Sequence, residues 1–154
     1  MREIKFQGKR LDNGEWVYGY YYNFLGEVSI IDVGFGLASE GGSMAFSLPD
    51  VIRVDPSTVG QFTGLYDSKR TEKYPNGQPI YEGDIVRRRG EVATYGVVWD
   101  PSDTGFYGRS APYNGIPNAS CQVVGLNNAG VSLEVIGNIH DNPELLTREV
   151  PTDA

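Results

Sequence analysis

Asn13-Gly14 stands between two runs of β-forming residues, Ile4–Leu11 and Trp16–Tyr22. Both central positions of a type I′ turn need φ > 0, which Asn and Gly tolerate, so this dipeptide predicts a β-hairpin. A two-residue turn there pairs Leu11 with Trp16, Lys9 with Tyr18, Gln7 with Tyr20 and Lys5 with Tyr22. Side chains alternate along a strand, so Trp16, Tyr18, Tyr20 and Tyr22 line one face together with Lys5 and Lys9. Ile4, Phe6, Gly8, Val17, Gly19 and Tyr21 line the other, which reads as core. The aromatic row has two readings: a second buried face of a sandwich, or a surface that binds a ligand or another chain.

The same period of two continues. Glu27–Val33, Val51–Val54, Asp84–Arg88 and Tyr95–Trp99 read as strands, and Gln122–Leu126 is expected to form a hairpin with Val131–Ile136 across residues 127–130. Asp55-Pro56-Ser57-Thr58 offers a short helical start, since Asp caps and Pro fits the first position. Asn142–Leu146 reads as a capped helix of about two turns. Residues 34–47, 67–79 and 100–120 read as polar, Gly/Pro-rich connections. With 20 Gly and 9 Pro in 154 residues, the expectation is an all-β chain: many short strands in a sandwich or partly open barrel, with one or two short helices. It is read as one domain over 1–146, with lobes at 1–66 and 79–146 and a frayed tail at 147–154.

The net charge of −7 argues against nucleic-acid binding, which needs a cationic field. All but two of the 13 Lys and Arg residues lie before residue 96, and three of them are consecutive: Arg87-Arg88-Arg89. Guanidinium forks match phosphate oxygens, so the triplet is either an anion contact or a solvated strand end. The first residues carry no apolar leader, and no apolar run approaches about 18 residues, so a soluble, cytoplasmic protein is expected.

Catalytic and cofactor signals are sparse. One Cys and one His exclude a disulfide framework and a zinc site built from several Cys and His ligands of one chain. His140 is conceivable as a general base, with Cys121 as nucleophile or with a carboxylate in a hydrolase, but it reads more simply as a polar residue between a strand and the closing helix. Asp100–Gly105 lacks the regular ligands of a calcium loop. Gly34–Ser39 lacks the third glycine of a dinucleotide loop. No cofactor and no metal are expected, and the balance leans away from an enzyme.

Three blocks carry a resemblance: Lys5–Tyr20; Val54–Leu65 with Ile80–Val86; and Leu133–Leu146. In order and spacing they resemble the YopX family of phage and prophage proteins across nearly the whole chain. The resemblance implies a β-rich fold and a mobile-element origin, and it carries over no functional residues. The connection at 68–78 and the stretch 101–130 depart from the family's usual form. Glu82–Val86 followed by Tyr95–Trp99 is also similar to the opening strands of small barrels, which implies a barrel-like C-terminal lobe.

Three functions are therefore carried forward. The first is a non-enzymatic accessory binding protein acting on a host component, in its sharpest form an oligomeric sponge that sequesters a host nucleotide signal. The second is a protein-interaction module without a small ligand, and the third is the His140 hydrolase. The expected partners are further copies of the chain and a small nucleotide or a host protein. The candidate contacts are Trp16, Tyr18, Tyr20 and Tyr22, with Arg87, Arg88 and Arg89 for an anionic group.

Overall fold

The computed structural model describes residues 1–32, 50–110, 123–126 and 132–146. The predicted loop at 34–47, Cys121, the 127–130 turn and the tail from 147 lie outside the described residues. The described chain is mostly strand and entirely antiparallel, and its helical parts are short 3-10 turns. The strands are β1 (Phe6–Lys9), β2 (Trp16–Phe24), β3 (Glu27–Asp32), β4 (Asp50–Arg53), β5 (Gly60–Tyr66), β6 (Pro79–Tyr81), β7 (Asp84–Arg88), β8 (Thr94–Asp100), β9 (Gly105–Arg109), β10 (Val123–Gly125) and β11 (Leu133–Asn138). The chain divides into two compact units, Met1–Gln61 and Phe62–Ala154.

In the first unit the order is β4-β3-β2-β1, with Gly60 and Gln61 of β5 pairing along the other edge of β1. The chain leaving β4 returns to β1. Val54 bridges Arg10, the Asp55 N–H donates to the Lys9 carbonyl at 2.8 Å, and the Val54 N–H donates to the Val28 carbonyl at 3.1 Å. The sheet thus curls over a small core of Val28, Ile30 and Val54, flanked by Phe6, Val17 and Val59. Two glycines permit the curl. A Cβ at Gly8 would stand 3.1 Å from the Val54 side chain, and one at Gly19 would stand 2.0 Å from the Ile31 carbonyl oxygen. The predicted cap also forms: Asp55 accepts the Ser57 N–H at 3.0 Å and opens the 3-10 turn Pro56–Thr58.

The first hairpin forms with a different register. Its loop is Leu11–Gly14, four residues long, closed by the Arg10 N–H on Glu15 at 2.9 Å. Lys9 therefore faces Trp16 and Gln7 faces Tyr18. Gly14 takes φ +71 but Asn13 does not enter positive φ, so the I′ geometry fails. Instead the Asn13 side chain accepts the Glu15 N–H at 2.9 Å, and the Arg10 guanidinium grips Asp12 through bonds of 2.8 and 2.7 Å. This hydrogen bonding raises Arg10 and lowers Asp12 from their ordinary pKa values. A shift of two residues preserves the faces, so the expected division of β2 into two sides survives the error.

The second unit holds a five-stranded sheet in the order β10-β9-β8-β7-β11, with β6 pairing the later half of β5. Its core is Ile80, Val86, Tyr95, Val97, Phe106, Leu126 and Leu133. The sheet does not close into a barrel among the described residues. Two expectations are corrected here. The stretch from residue 100 contains a strand, β9, which pairs β8 and sets Phe106 edge-on to Trp99 at 5.0 Å. And β10 does not pair β11: β10 lies on β9, while β11 lies on β7. The buried Asp67 carboxylate braces β11, accepting the Gln78 N–H at 2.8 Å with one oxygen and the Val135 N–H at 3.2 Å with the other. The closing helix is a single 3-10 turn, Pro143–Leu146.

Gly19→Ala should lower stability by about 1–3 kcal/mol, since backbone must move to admit the methyl group. Gly125→Ala, with nothing within 4 Å of its Cβ position, should stay within about 0.5 kcal/mol. Urea unfolding followed by tryptophan fluorescence compares the two.

Candidate functional site

The aromatic row is open in this structure over most of its length. Tyr18, Tyr20 and Tyr22 are 46%, 52% and 43% exposed, and the period of two carries the row on to Phe24 at 58%. Only its first end is partly covered, where Trp16 is half-buried beneath the Lys9 ammonium, 5.5 Å from the ring, and Gln7 opposite Tyr18 is buried. Tyr21 points the other way and leans on Phe6 with ring centroids 5.4 Å apart.

Register sets the neighbours of the row. Tyr20 faces Ile31, Tyr22 faces Ser29 and Phe24 faces Glu27, while Arg53 and Val51 of β4 face Ser29 and Ile31. Directly paired residues share a face, so Glu27, Arg53 and Val51 stand on the aromatic side. An ion pair of 2.6 Å between Arg53 Nη2 and Glu27 Oε1 confirms the placement. Tyr22 and Phe24 hold their rings 4° from parallel with centroids 6.4 Å apart. Beyond them the hairpin turns at Leu25-Gly26, with φ +52 and +88, and Leu25 is 88% exposed. Asn23 braces this turn by accepting the Gly26 N–H at 3.2 Å.

The arginine triplet belongs to the second unit and does not form one fork. Arg87 and Arg88 are adjacent on β7, so their side chains leave opposite faces. Arg87 lies 3.6 Å from Glu134, its cross-strand partner, and Arg88 lies 3.7 Å from Glu91. The Arg89 N–H is bonded to the Ser132 carbonyl at 2.8 Å.

Around His140 the observed bonds brace a turn. The His140 side chain is exposed, and its backbone N–H donates to Asn138 Oδ1 at 2.9 Å. Asn138 in turn donates to the buried Asp84 at 3.2 Å, and the other Asp84 oxygen accepts the Tyr81 N–H at 2.8 Å. Gly83, at φ +91, donates to Val97 and accepts from Ile139, both at 2.9 Å. A Cβ at Gly137 would meet Asn142 at 2.7 Å and Leu145 at 2.8 Å. Two of the three blocks that carry the resemblance thus meet in one hydrogen-bonded joint of the second unit. The Asp103 charge raises the Tyr107 phenol above its ordinary pKa. No cluster of metal-ligating side chains occurs among the described residues. No described helix is long and apolar enough to cross a membrane.

Phe24, Glu27, Arg53 and Leu25 were absent from the sequence-derived site. Phe24 was legible as the next member of the alternating row. Glu27 and Arg53 join only through strand pairing.

Fold and site define an antiparallel β protein of two compact units, the first bearing an open aromatic sheet face. The chain matches the model of the YopX protein family over residues 5–147, and it belongs to that family. No curated protein matches it.

Asp84→Ala should cost roughly 2–4 kcal/mol, because it strands a buried backbone N–H and the Asn138 amide. His140→Ala should cost about 1 kcal/mol or less. Thermal melts of the two variants measure the difference.

Proposed function

We propose that the protein is a non-enzymatic binding protein, a phage or prophage accessory directed at a component of the bacterial host. In its sharpest form it is a homo-oligomeric sponge that withdraws a host nucleotide signal as counter-defence. The observation that supports this reading is the open row Tyr18, Tyr20, Tyr22 and Phe24. Aromatic side chains lose little entropy on binding, and every nucleobase offers a π-face worth about 1–3 kcal/mol on such a platform. Four side chains each leaving about half of 150–250 Å² open amount to roughly 300–500 Å², as large as the largest patch of an ordinary monomer. That area supports self-association as well as ligand binding. The arginine triplet contributes less than its sequence suggests, since Arg87 and Arg88 diverge and each has an acidic neighbour.

A small molecule should leave the purified protein on denaturation and be seen by mass spectrometry. Tyr20→Ser with Tyr22→Ser should keep the far-ultraviolet dichroism of the wild type, lose that molecule and elute later in size-exclusion chromatography. A folded double variant that retains both properties refutes the reading.

One observation favours a protein-interaction module instead. Leu25 is a bulky residue held at positive φ on an almost fully exposed hairpin tip, a placement that costs about 1–2 kcal/mol and suits Asn or Gly. Leu25→Asn should raise the melting temperature by a few degrees. If it also abolishes capture of a host protein while nucleotide release is unchanged, the tip is a protein contact.

A further inference from the structure

We propose that Tyr22, Phe24, Glu27 and Arg53 form a binding site for a guanine base. The inference rests on the nucleotide-binding reading above and specifies its location and ligand.

The first element is spacing. Residues i and i+2 of a strand stand about 6.6 Å apart. Tyr22 and Phe24 show this spacing with nearly parallel rings, 6.4 Å between centroids and 4° between planes. A flat heterocycle laid against this pair of parallel rings gains an aromatic stacking platform.

The second element is what lies beside the ring pair. Glu27 pairs Phe24 across one strand, and Arg53 lies in register with Tyr22 across two, with Ser29 between them. Strands are about 4.8 Å apart, so these groups stand about 5 and 10 Å from β2, within the length of a purine and two hydrogen bonds. Ser29, between Tyr22 and Arg53 in register, is small and buried, so the longer side chains of Tyr22 and Arg53 stand above it.

The third element is the hydrogen-bond pattern. Arg53 and Glu27 are clasped at 2.6 Å, so a donor and an acceptor are already set side by side. A guanidinium has five N–H donors, and a carboxylate has about four lone-pair sites, so the clasp leaves capacity on both. Guanine presents the O6 acceptor next to two donors, N1–H and N2–H. Arg53 meets the first and Glu27 the other two. Adenine, cytosine and uracil offer a carboxylate only one donor on that edge, so they fit less well. The pair is neutral overall, which suits an uncharged base edge and assigns no role to the phosphate.

Isothermal titration calorimetry of the full chain with GMP, AMP and CMP tests the site. The wild type should bind GMP at least tenfold more tightly than AMP or CMP. Phe24→Ala should weaken GMP at least tenfold, and Glu27→Gln should remove the preference while stacking keeps a residual affinity common to all three. Both residues are exposed, and dichroism checks that each variant is folded; Arg53→Gln supplies an independent variant outside the ring pair. If the wild type binds a nucleotide but these variants leave affinity and preference unchanged, the site is wrong and the nucleotide-binding reading stands. If no nucleotide binds and none is released on denaturation, both fall together.

Discussion

The close approach of β3 to β2 at Gly19 governs the first unit. With no side chain there, the Ile31 carbonyl lies where a Cβ would stand, and the sheet curls enough for the chain after β4 to return to β1. The curl buries Ile30 and Val54 completely, at about 1.5–3 kcal/mol for each such side chain. It also decides what stays outside. A sheet with one concave, filled face has a convex one, and the alternate residues of β2 must stand on it. The open aromatic row is the geometric counterpart of the small core, with its residues fixed in position by the same strand that builds that core.

The second unit is organised by polar side chains that substitute for missing strand partners. Asp67 caps Gln78 and Val135, and Asp84 caps Tyr81 and holds Asn138. Buried backbone donors need acceptors, and a carboxylate with two oxygens can serve two strands at once. This gives a physical role to residues that carry the family resemblance around Glu82–Val86 and Gly137–Leu145. Gly83, Asp84, Gly137, Asn138 and Asn142 are required by a joint between strand ends. His140 sits beside that joint, and its backbone N–H donates to the Asn138 side chain.

The aromatic face and the arginine triplet illustrate how differently composition and geometry weigh residues. Three consecutive cations look like an anion site, yet strand alternation sends neighbours to opposite faces. A single arginine distant in sequence, Arg53, comes to lie beside Glu27 and within two strands of Tyr22 through register alone. The functional proposal therefore rests on the face where pairing gathers unlike groups: two rings, one carboxylate and one guanidinium.

The sequence by itself determined the all-β class, the division of β2 into a core side and an aromatic side, and the capped turn at Asp55. Each follows from alternation or from local side-chain to backbone bonding, which a reader can count along the chain. It did not determine the hairpin register: the four-residue loop is closed by Arg10–Asp12 and Asn13–Glu15 bonds, and the Leu11 N–H is bonded to Arg53, distant in sequence. Nor did it reveal β9, whose glycines resemble a connection until β8 supplies the pairing, or the partner of β11, which is β7 rather than β10 and is braced by an Asp67 bond across 68 residues of chain. Only the tertiary structure brought Glu27 and Arg53 to Tyr22 and Phe24, because strand pairing makes neighbours of residues whose separation in sequence carries no periodic signal.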